Sequence, residues 1–302
     1  LIEADPGEQL GSLKDDDIIE LYKAHGAVLF RGFERDLDAF AAFADRFCAT
    51  SVQNDSRNRA ILDTSRNIQS VDRGRGAFPL HPELSREPWK PDVCLFYCVQ
   101  PPSTGGRTTI CDGVKVAELL PAGLRSKMAE RRLVYIQRAR PAVLEYWFGN
   151  PDPSDLELAN PPDGCPYSFE RVGSEVARLF SRPFLHHPMF SEGVAFGNFL
   201  LFARHGGVTG FPLLDDRTPV PDSWAEEIQR VSGELMSEVA WREGDLLMLD
   251  NTRFMHGRTA IVDEEERSIA SHFGYLRFAR PDPEEPPNAL WRRPGFRPPP
   301  AL

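Results

Sequence analysis

The chain has 302 residues, 41% of them apolar, and a formal charge of −10. That length suits one large β domain or two small ones, with enough apolar material for a core. The acidic balance, without any basic block, excludes a nucleic-acid groove, which needs clustered Lys and Arg, and no run reaches the roughly 18 apolar residues of a membrane span.

Taken in chain order, Ser12-Leu13-Lys14-Asp15 has the form of a capping box, with Ile18, Ile19 and Tyr22 at helical spacing after it. The glycine-bounded apolar run 26–33 predicts a strand. Leu37, Phe40, Phe43, Ala44 and Phe47 form one apolar helical stripe, so 36–47 predicts a helix whose phenylalanines are core. Residues 51–78 are polar and predict a long loop, of the kind that is functional or mobile. The continuous apolar run 93–99 predicts a strand covered on both faces. A turn cluster at 101–106 leads to a short strand at 108–111. Short helices are expected at 114–120 and 124–131, and strands at 133–137 and 194–202 with a long irregular insert between them. A second capping box at Ser223-Trp224-Ala225-Glu226 opens a helix toward Met236. Strands at 245–249 and 268–278 close the domain, and from Pro281 a proline-rich tail is expected to run extended over the surface. No internal repeat is present. Many short strands with Gly/Pro turns favour a mainly β fold with flanking helices, a sandwich or jelly roll.

No signal-peptide pattern is visible. The five cysteines (Cys48, Cys94, Cys98, Cys111 and Cys165) are odd in number and lack framework spacing. They predict reduced thiols and a cytoplasmic protein.

The chemistry concentrates in His81-Pro82-Glu83, a second histidine at His256, and Arg267 eleven residues beyond it. Two imidazoles and a carboxylate can hold a metal on one face and leave the other face open. On an extended segment 78–84, residues i and i+2 share a face, so His81 and Glu83 can point at one ion. Pro82 supports this by pushing His81 away from the helical region. A third ligand must come from elsewhere, and the run 250–256 at the end of an apolar strand can supply it. The triplet alone carries nothing: with seven histidines and 45 acidic residues in 302, about one His-x-Asp/Glu arises by chance. Its weight comes from Gly105-Gly106-Arg107-Thr108, from the run through His256-Gly257-Arg258, and from Arg267 at the head of the last strand.

On GAVLFRGF (26–33), FPLHPELS (78–85), PPSTGGRTT (101–109), GDLLMLDNTRFMHGR (244–258) and Arg267, the chain resembles the taurine/2,4-D dioxygenase-like family of iron(II)- and 2-oxoglutarate-dependent oxygenases. The resemblance runs from about Gly26 through Phe278 and implies a double-stranded β-helix core. It implies His81, Glu83 and His256 as iron ligands, and Arg267 with Thr108 as the holder of 2-oxoglutarate, O2 being the other co-substrate. An arginine suits the distal carboxylate because its fork pairs bidentately and stays charged when buried. The resemblance thus implies hydroxylation of an unactivated C–H of a small molecule, with release of succinate and CO2.

Two departures bear on the substrate. The carboxylate is Glu83 where the family more often has aspartate, a feature shared with clavaminate synthase-like enzymes, while the arginine keeps the shorter, taurine-type spacing. Four residues after Arg267 stands Ser271, where taurine and 2,4-D enzymes have an arginine for an anionic substrate. Ser271 is therefore a candidate pocket residue, and an amino-acid-like or natural-product substrate is expected. A glycine in place of Glu83 would suggest a halogenase; the glutamate favours hydroxylation. The expected organisation is one oxygenase domain over 1–280, with lid segments near 51–78 and 141–192, and a tail over 281–302. A homo-oligomer is possible.

Other readings of the same residues remain. A non-enzymatic jelly-roll binder could keep the ligands as a structural metal site. A zinc hydrolase could use the same His/Glu/His set with metal-bound water. Arg267 could be a surface partner of the acidic run 263–266. His186-His187 is a poor metal pair, since neighbours on a strand face opposite ways. His205 before two glycines reads as a turn residue, His272 as facing the outer layer, and His25 as a helix-end residue suited to the dipole. Arg258 reads as a structural ion pair or a counter-charge near the metal. Trp147 and Phe148 either line a pocket or pack. The arginines around 292–297 read as solvated.

Overall fold

The computed structural model describes residues 1–262 and 267–300. Its frame is two facing antiparallel sheets, both clad in helices. The larger has eight strands: Ile2–Glu3, Ala27–Arg31, Leu246–Asp250, Val93–Gln100, Ser268–Leu276, Ile68–Ser70 and Ile61–Asp63 in spatial order, with Cys48–Ser51 also pairing with Ser268–Leu276. Only the first pair is parallel. The smaller sheet runs Ser237–Val239, Thr108–Asp112, Phe254–Arg258, Phe78–His81. The sheets do not close on themselves, and this is the jelly-roll architecture expected of the sequence, mainly β with helices around it.

Alternation explains the layering. Along Val93–Gln100, Cys94, Phe96 and Cys98 point into the space between the sheets. Val93, Leu95 and Tyr97 point the other way, onto the N-terminal helices. Leu247 and Leu249 against Leu246 and Met248 repeat the pattern on the neighbouring strand. These strands are covered on both faces, as their unbroken apolar runs require. The outer coat is the helices Asp15–His25 and Leu37–Phe47, which bring Tyr22, Phe40, Phe43 and Phe47 to full burial. Burial of each such ring contributes about 1.5–3 kcal/mol. The small sheet is backed by Gly113–Leu119, Leu200–His205 and Asp222–Leu235.

Several expectations are corrected. The first helix starts from Lys14 and the long helix from Pro221, neither with a side-chain cap, so the two proposed capping boxes do not form. Residues 194–202 are not one strand. Ala195–Phe196 is a two-residue strand, Asn198 Oδ1 accepts from the Leu200 amide, and the helix Leu200–His205 follows. The insert is more regular than expected. Ser168–Val172 and Glu175–Pro183 form a hairpin that pairs onto Arg132–Arg138. Trp147 packs in the inner core beside Tyr167. The tail does not simply run over the surface: Trp291 is buried, and Arg292 pairs with Asp92 and Glu285 rather than with water.

Candidate metal centre

The small sheet assembles the site by register. Phe254–Arg258 lies antiparallel to Phe78–His81, with His256 directly opposite His81. Gly257 makes this close approach possible: a Cβ there would lie 2.5 Å from the Phe78 carbonyl oxygen and 2.9 Å from Thr109 Oγ1. The two imidazoles face each other with ring centroids 4.7 Å apart. The strand ends at His81, and Glu83 begins the turn that follows, with Leu84 at φ 51°. The i, i+2 geometry expected of an extended 78–84 therefore reaches Glu83 only through a turn. Asn251 fixes that turn: its Oδ1 accepts from the Glu83 amide at 2.7 Å, and its Nδ2 donates to the Glu83 carbonyl at 3.1 Å.

The result is one cluster. Donor atoms of His81, Glu83 and His256 all lie within 4.8 Å of one another, and among the described residues no other trio of His, Cys, Asp or Glu gathers so. All three side chains are buried. His81 Nδ1 donates to the Pro79 carbonyl at 2.8 Å, which leaves the Nε2 lone pair for a metal. His256 Nε2 lies 3.7 Å from Glu83 Oε2. Burial, helped by the neighbouring His256, pushes the His81 imidazole down to about 3, so it stays a neutral donor. Burial alone would raise the Glu83 carboxyl. The Arg59 guanidinium and His256 outweigh it and hold the group well below the usual carboxylate range. A neutral imidazole and an ionised carboxylate are the forms a divalent ion binds. The donor set therefore fits iron(II).

Arg267 is aimed into the same cavity. Its Nη2 donates to Thr108 Oγ1 at 3.1 Å, and Trp241 Nε1 donates to the same hydroxyl at 2.9 Å. Its Nε is buried without a partner among the described residues. Burial and the nearby Arg258 push its pKa down to about 10, so it stays charged at neutral pH. Gly106, at φ 62°, lets the 101–108 turn pass close: a Cβ there would sit 3.1 Å from Arg267 Cδ. A half-buried guanidinium whose Nε has no described partner fits an incoming carboxylate. The acidic run 263–266, the alternative partner, lies outside the described residues.

The sequence profile of the taurine catabolism dioxygenase TauD, TfdA family matches residues 2–272. The chain belongs to this family. Membership makes it an iron(II)- and 2-oxoglutarate-dependent dioxygenase by class. Comparison with curated proteins gave no match. Among solved structures the chain is similar to PvcB, described as an Fe, alpha-ketoglutarate dependent oxygenase from an isonitrile synthetic pathway. There the TM-score is 0.58 and the identity 15%, covering 90% of this chain and 84% of that one. A taurine dioxygenase from Burkholderia xenovorans matches with TM-score 0.58 and 17% identity, covering 91% and 86%. AAD-2, in complex with Mn(II) and N-oxalylglycine, matches with TM-score 0.57 and 14% identity, covering 92% and 93%. At these identities the likeness carries the fold.

Other candidates in this family member fall elsewhere. Ser271 is buried and donates to the Gln69 carbonyl at 3.1 Å; it is absent from the cavity lining. Among the described residues Arg258 makes no ion pair. It donates to the backbone carbonyls of Asp72, Gly74 and Gly76 and so pins the loop over the cavity. His186 Nε2 donates to the Thr252 carbonyl at 2.7 Å, and His187 Nδ1 to the Gly193 carbonyl at 2.7 Å, so neither is a metal pair member. His272 is buried and donates to the Arg66 carbonyl, and His25 is the last residue of its helix. Two polar residues in the 51–60 loop escaped the sequence reading. Asn54 Nδ2 donates to Glu83 Oε1 at 2.5 Å and Arg59 Nη2 to Glu83 Oε2 at 3.1 Å. Nothing in a polar loop separates these two from surface residues until the fold brings them onto a buried carboxylate.

Proposed function

We propose that this dioxygenase hydroxylates an unactivated C–H of a small molecule, consuming O2 and 2-oxoglutarate and releasing succinate and CO2. One observation carries the reading: His81 and His256, which form one donor trio with Glu83, line a single cavity with the Arg267–Thr108 pair, Phe78 and Phe96. His81, Glu83 and His256 would hold iron(II), and with 2-oxoglutarate bound there the iron would supply the oxidation of the C–H bond by dioxygen. The protein's part is to bind, orient and keep dry. Pro79 sets the tautomer of His81, and Asn251 sets the backbone of Glu83. Arg267 and Thr108 would take the distal carboxylate of 2-oxoglutarate. Phe78 and Phe202 edge the His81 ring, and Phe96 edges His256, which shields the centre from solvent.

Residues 51–78 and the 141–192 insert belong to the proposal as covering segments, and an amino-acid-like or natural-product substrate remains its substrate range. The five unpaired thiols support a reducing compartment, and a cytoplasmic setting is proposed on that ground. The zinc-hydrolase alternative gives no role to a half-buried Arg267 braced by Thr108, which favours the oxygenase. The test is anaerobic addition of iron(II) and then 2-oxoglutarate. A weak visible charge-transfer band is expected, absent in His256→Ala although that variant stays folded by circular dichroism. An intact protein that gives no band would sink the site assignment.

A further inference from the structure

We propose that Arg59 is the anion anchor of the substrate pocket, and that the substrate brings one net negative charge to it, as a carboxylate or similarly compact anion. The inference rests on the iron(II)- and 2-oxoglutarate-dependent reading above.

Arg59 stands on the loop between Cys48–Ser51 and Ile61–Asp63. Its side chain is only 6% exposed. Three contacts hold its guanidinium. Nη2 donates to Glu83 Oε2 at 3.1 Å, Nη1 donates to Ser271 Oγ at 3.3 Å, and the Phe273 ring lies 5.0 Å away, beneath the guanidinium carbon. The same side chain lines the cavity with His81, His256, Thr108 and Arg267.

The two oxygens of Glu83 are not equivalent. Oε1 is turned to Asn54, while Oε2 lies 3.7 Å from His256 Nε2. The oxygen a metal would share with the histidines is therefore the one that Arg59 holds. A divalent ion there repels a guanidinium at contact distance, and it claims the charge of Glu83 that otherwise balances Arg59.

A count of charges then leaves Arg59 over. A divalent metal and Glu83 together leave one positive charge, and Arg267 adds a second. The two carboxylates of 2-oxoglutarate cancel both. Arg258 lies near Asp72, which also lines the cavity. A buried guanidinium without a counter-charge is costly. Ser271 Oγ and the Phe273 face keep it on the cavity wall, and the N–H donors that Glu83 and Ser271 do not use can take a carboxylate. Ser271 thus contributes indirectly, as the small residue that leaves room for, and hydrogen-bonds, an arginine arriving from the loop.

The experiment uses the whole chain loaded with cobalt(II), which reports binding by absorption without turnover. Cobalt(II) and then 2-oxoglutarate are added to the wild type, Arg59→Met and Arg59→Lys. If 2-oxoglutarate leaves the wild-type cobalt spectrum unchanged, the functional reading itself fails, and this inference with it. Where that step succeeds, acetate and its uncharged isostere acetamide are titrated into the ternary protein. A saturable acetate response is expected in the wild type, weakened about ten-fold in Arg59→Met and less in Arg59→Lys, as for loss of one charge-assisted pair. Acetamide should bind about ten-fold more weakly than acetate in the wild type and equally in both Arg59→Met and wild type. No saturable acetate response, or one that Arg59→Met leaves unchanged, overturns the anchor while sparing the functional reading. Loss of cobalt binding in Arg59→Met also overturns it, making Arg59 a positioning residue for Glu83.

Discussion

At the scale of single residues, the site rests on a few buried polar groups with defined partners. Arg267 has the fewest: one hydroxyl, and a buried Nε with none among the described residues. If a carboxylate of 2-oxoglutarate completes it, Arg267→Leu removes a bidentate, charge-assisted contact. The expected loss is about 3 kcal/mol, or roughly 100-fold in 2-oxoglutarate affinity, read by titrating the co-substrate into metal-loaded protein. Metal affinity should change little, since Arg267 touches none of the three ligands; an equal loss of both affinities would contradict the assignment. His81, Glu83, His256 and Arg267 were legible because their chemistry is rare and their spacing fits one resemblance. Arg59 and Asn54 were not, because an arginine and an asparagine in a polar loop look like any solvated pair. Ser271, the candidate pocket residue, is absent from the cavity lining and sits one hydrogen bond behind Arg59.

At the scale of elements, the pairing of Phe254–Arg258 with Phe78–His81 decides the geometry. Gly257 lies between two strands that leave no room for a side chain. Gly257→Ala should push the strands apart, splay His256 from His81 and destabilise the fold by about 1–3 kcal/mol, as overpacking does. Thermal unfolding checks the stability, and a cobalt(II) titration checks the splaying; an unchanged metal affinity would show that the register tolerates the methyl group. The central strands of the large sheet are legible because runs such as 93–99 are too short and too apolar for an exposed helix, whereas Ile61–Asp63 and Ile68–Ser70 lie in the polar stretch expected to be a loop. The 194–202 stretch was misread for the same reason in reverse. A short apolar run has no period long enough to separate strand from helix, and the deciding contact is a local one, Asn198 Oδ1 on the Leu200 amide. The insert hairpin stayed hidden because its alternating residues are broken up by Arg and Glu, and its partner strand lies about 40 residues earlier in the chain.

At the scale of the whole molecule, two sheets and two helical coats bury titratable groups as well as apolar ones. His186 is half-buried near Lys90, and loss of solvent first, then that positive charge, push its imidazole down to about 3. An unfolded histidine titrates near 6.5. Below that pH the unfolded chain takes a proton that the folded one refuses. The stability linked to His186 is thus complete above about 6.5 and is lost progressively as pH falls toward about 3. Asp250 works the other way: burial pushes its carboxyl up to about 6, so its share of stability grows as pH falls through that value toward the ordinary aspartate range. His186→Gln keeps a donor for the Thr252 carbonyl and removes the proton linkage. Between pH 6 and 4 the rise of unfolding free energy with pH should be smaller in the metal-free variant than in the metal-free wild type, by up to about 1.4 kcal/mol per unit. Urea unfolding across that range reads it, and a slope equal to the wild type would refute the linkage.

The position of Phe78–His81 at the border of the small sheet has a mechanical consequence. That strand has one neighbour in the sheet and two residue pairs joining it, Arg258 with Phe78 and His256 with His81. An ion held by both histidines would be a rivet through the second pair. It would clamp the seam most ready to fray and close a very long loop of chain between its two ends. Metal loading should then slow amide hydrogen exchange most at 78–84 and 254–258, and barely at all in the outer helices. Uniform slowing across the chain would mean that the ion acts only on global stability.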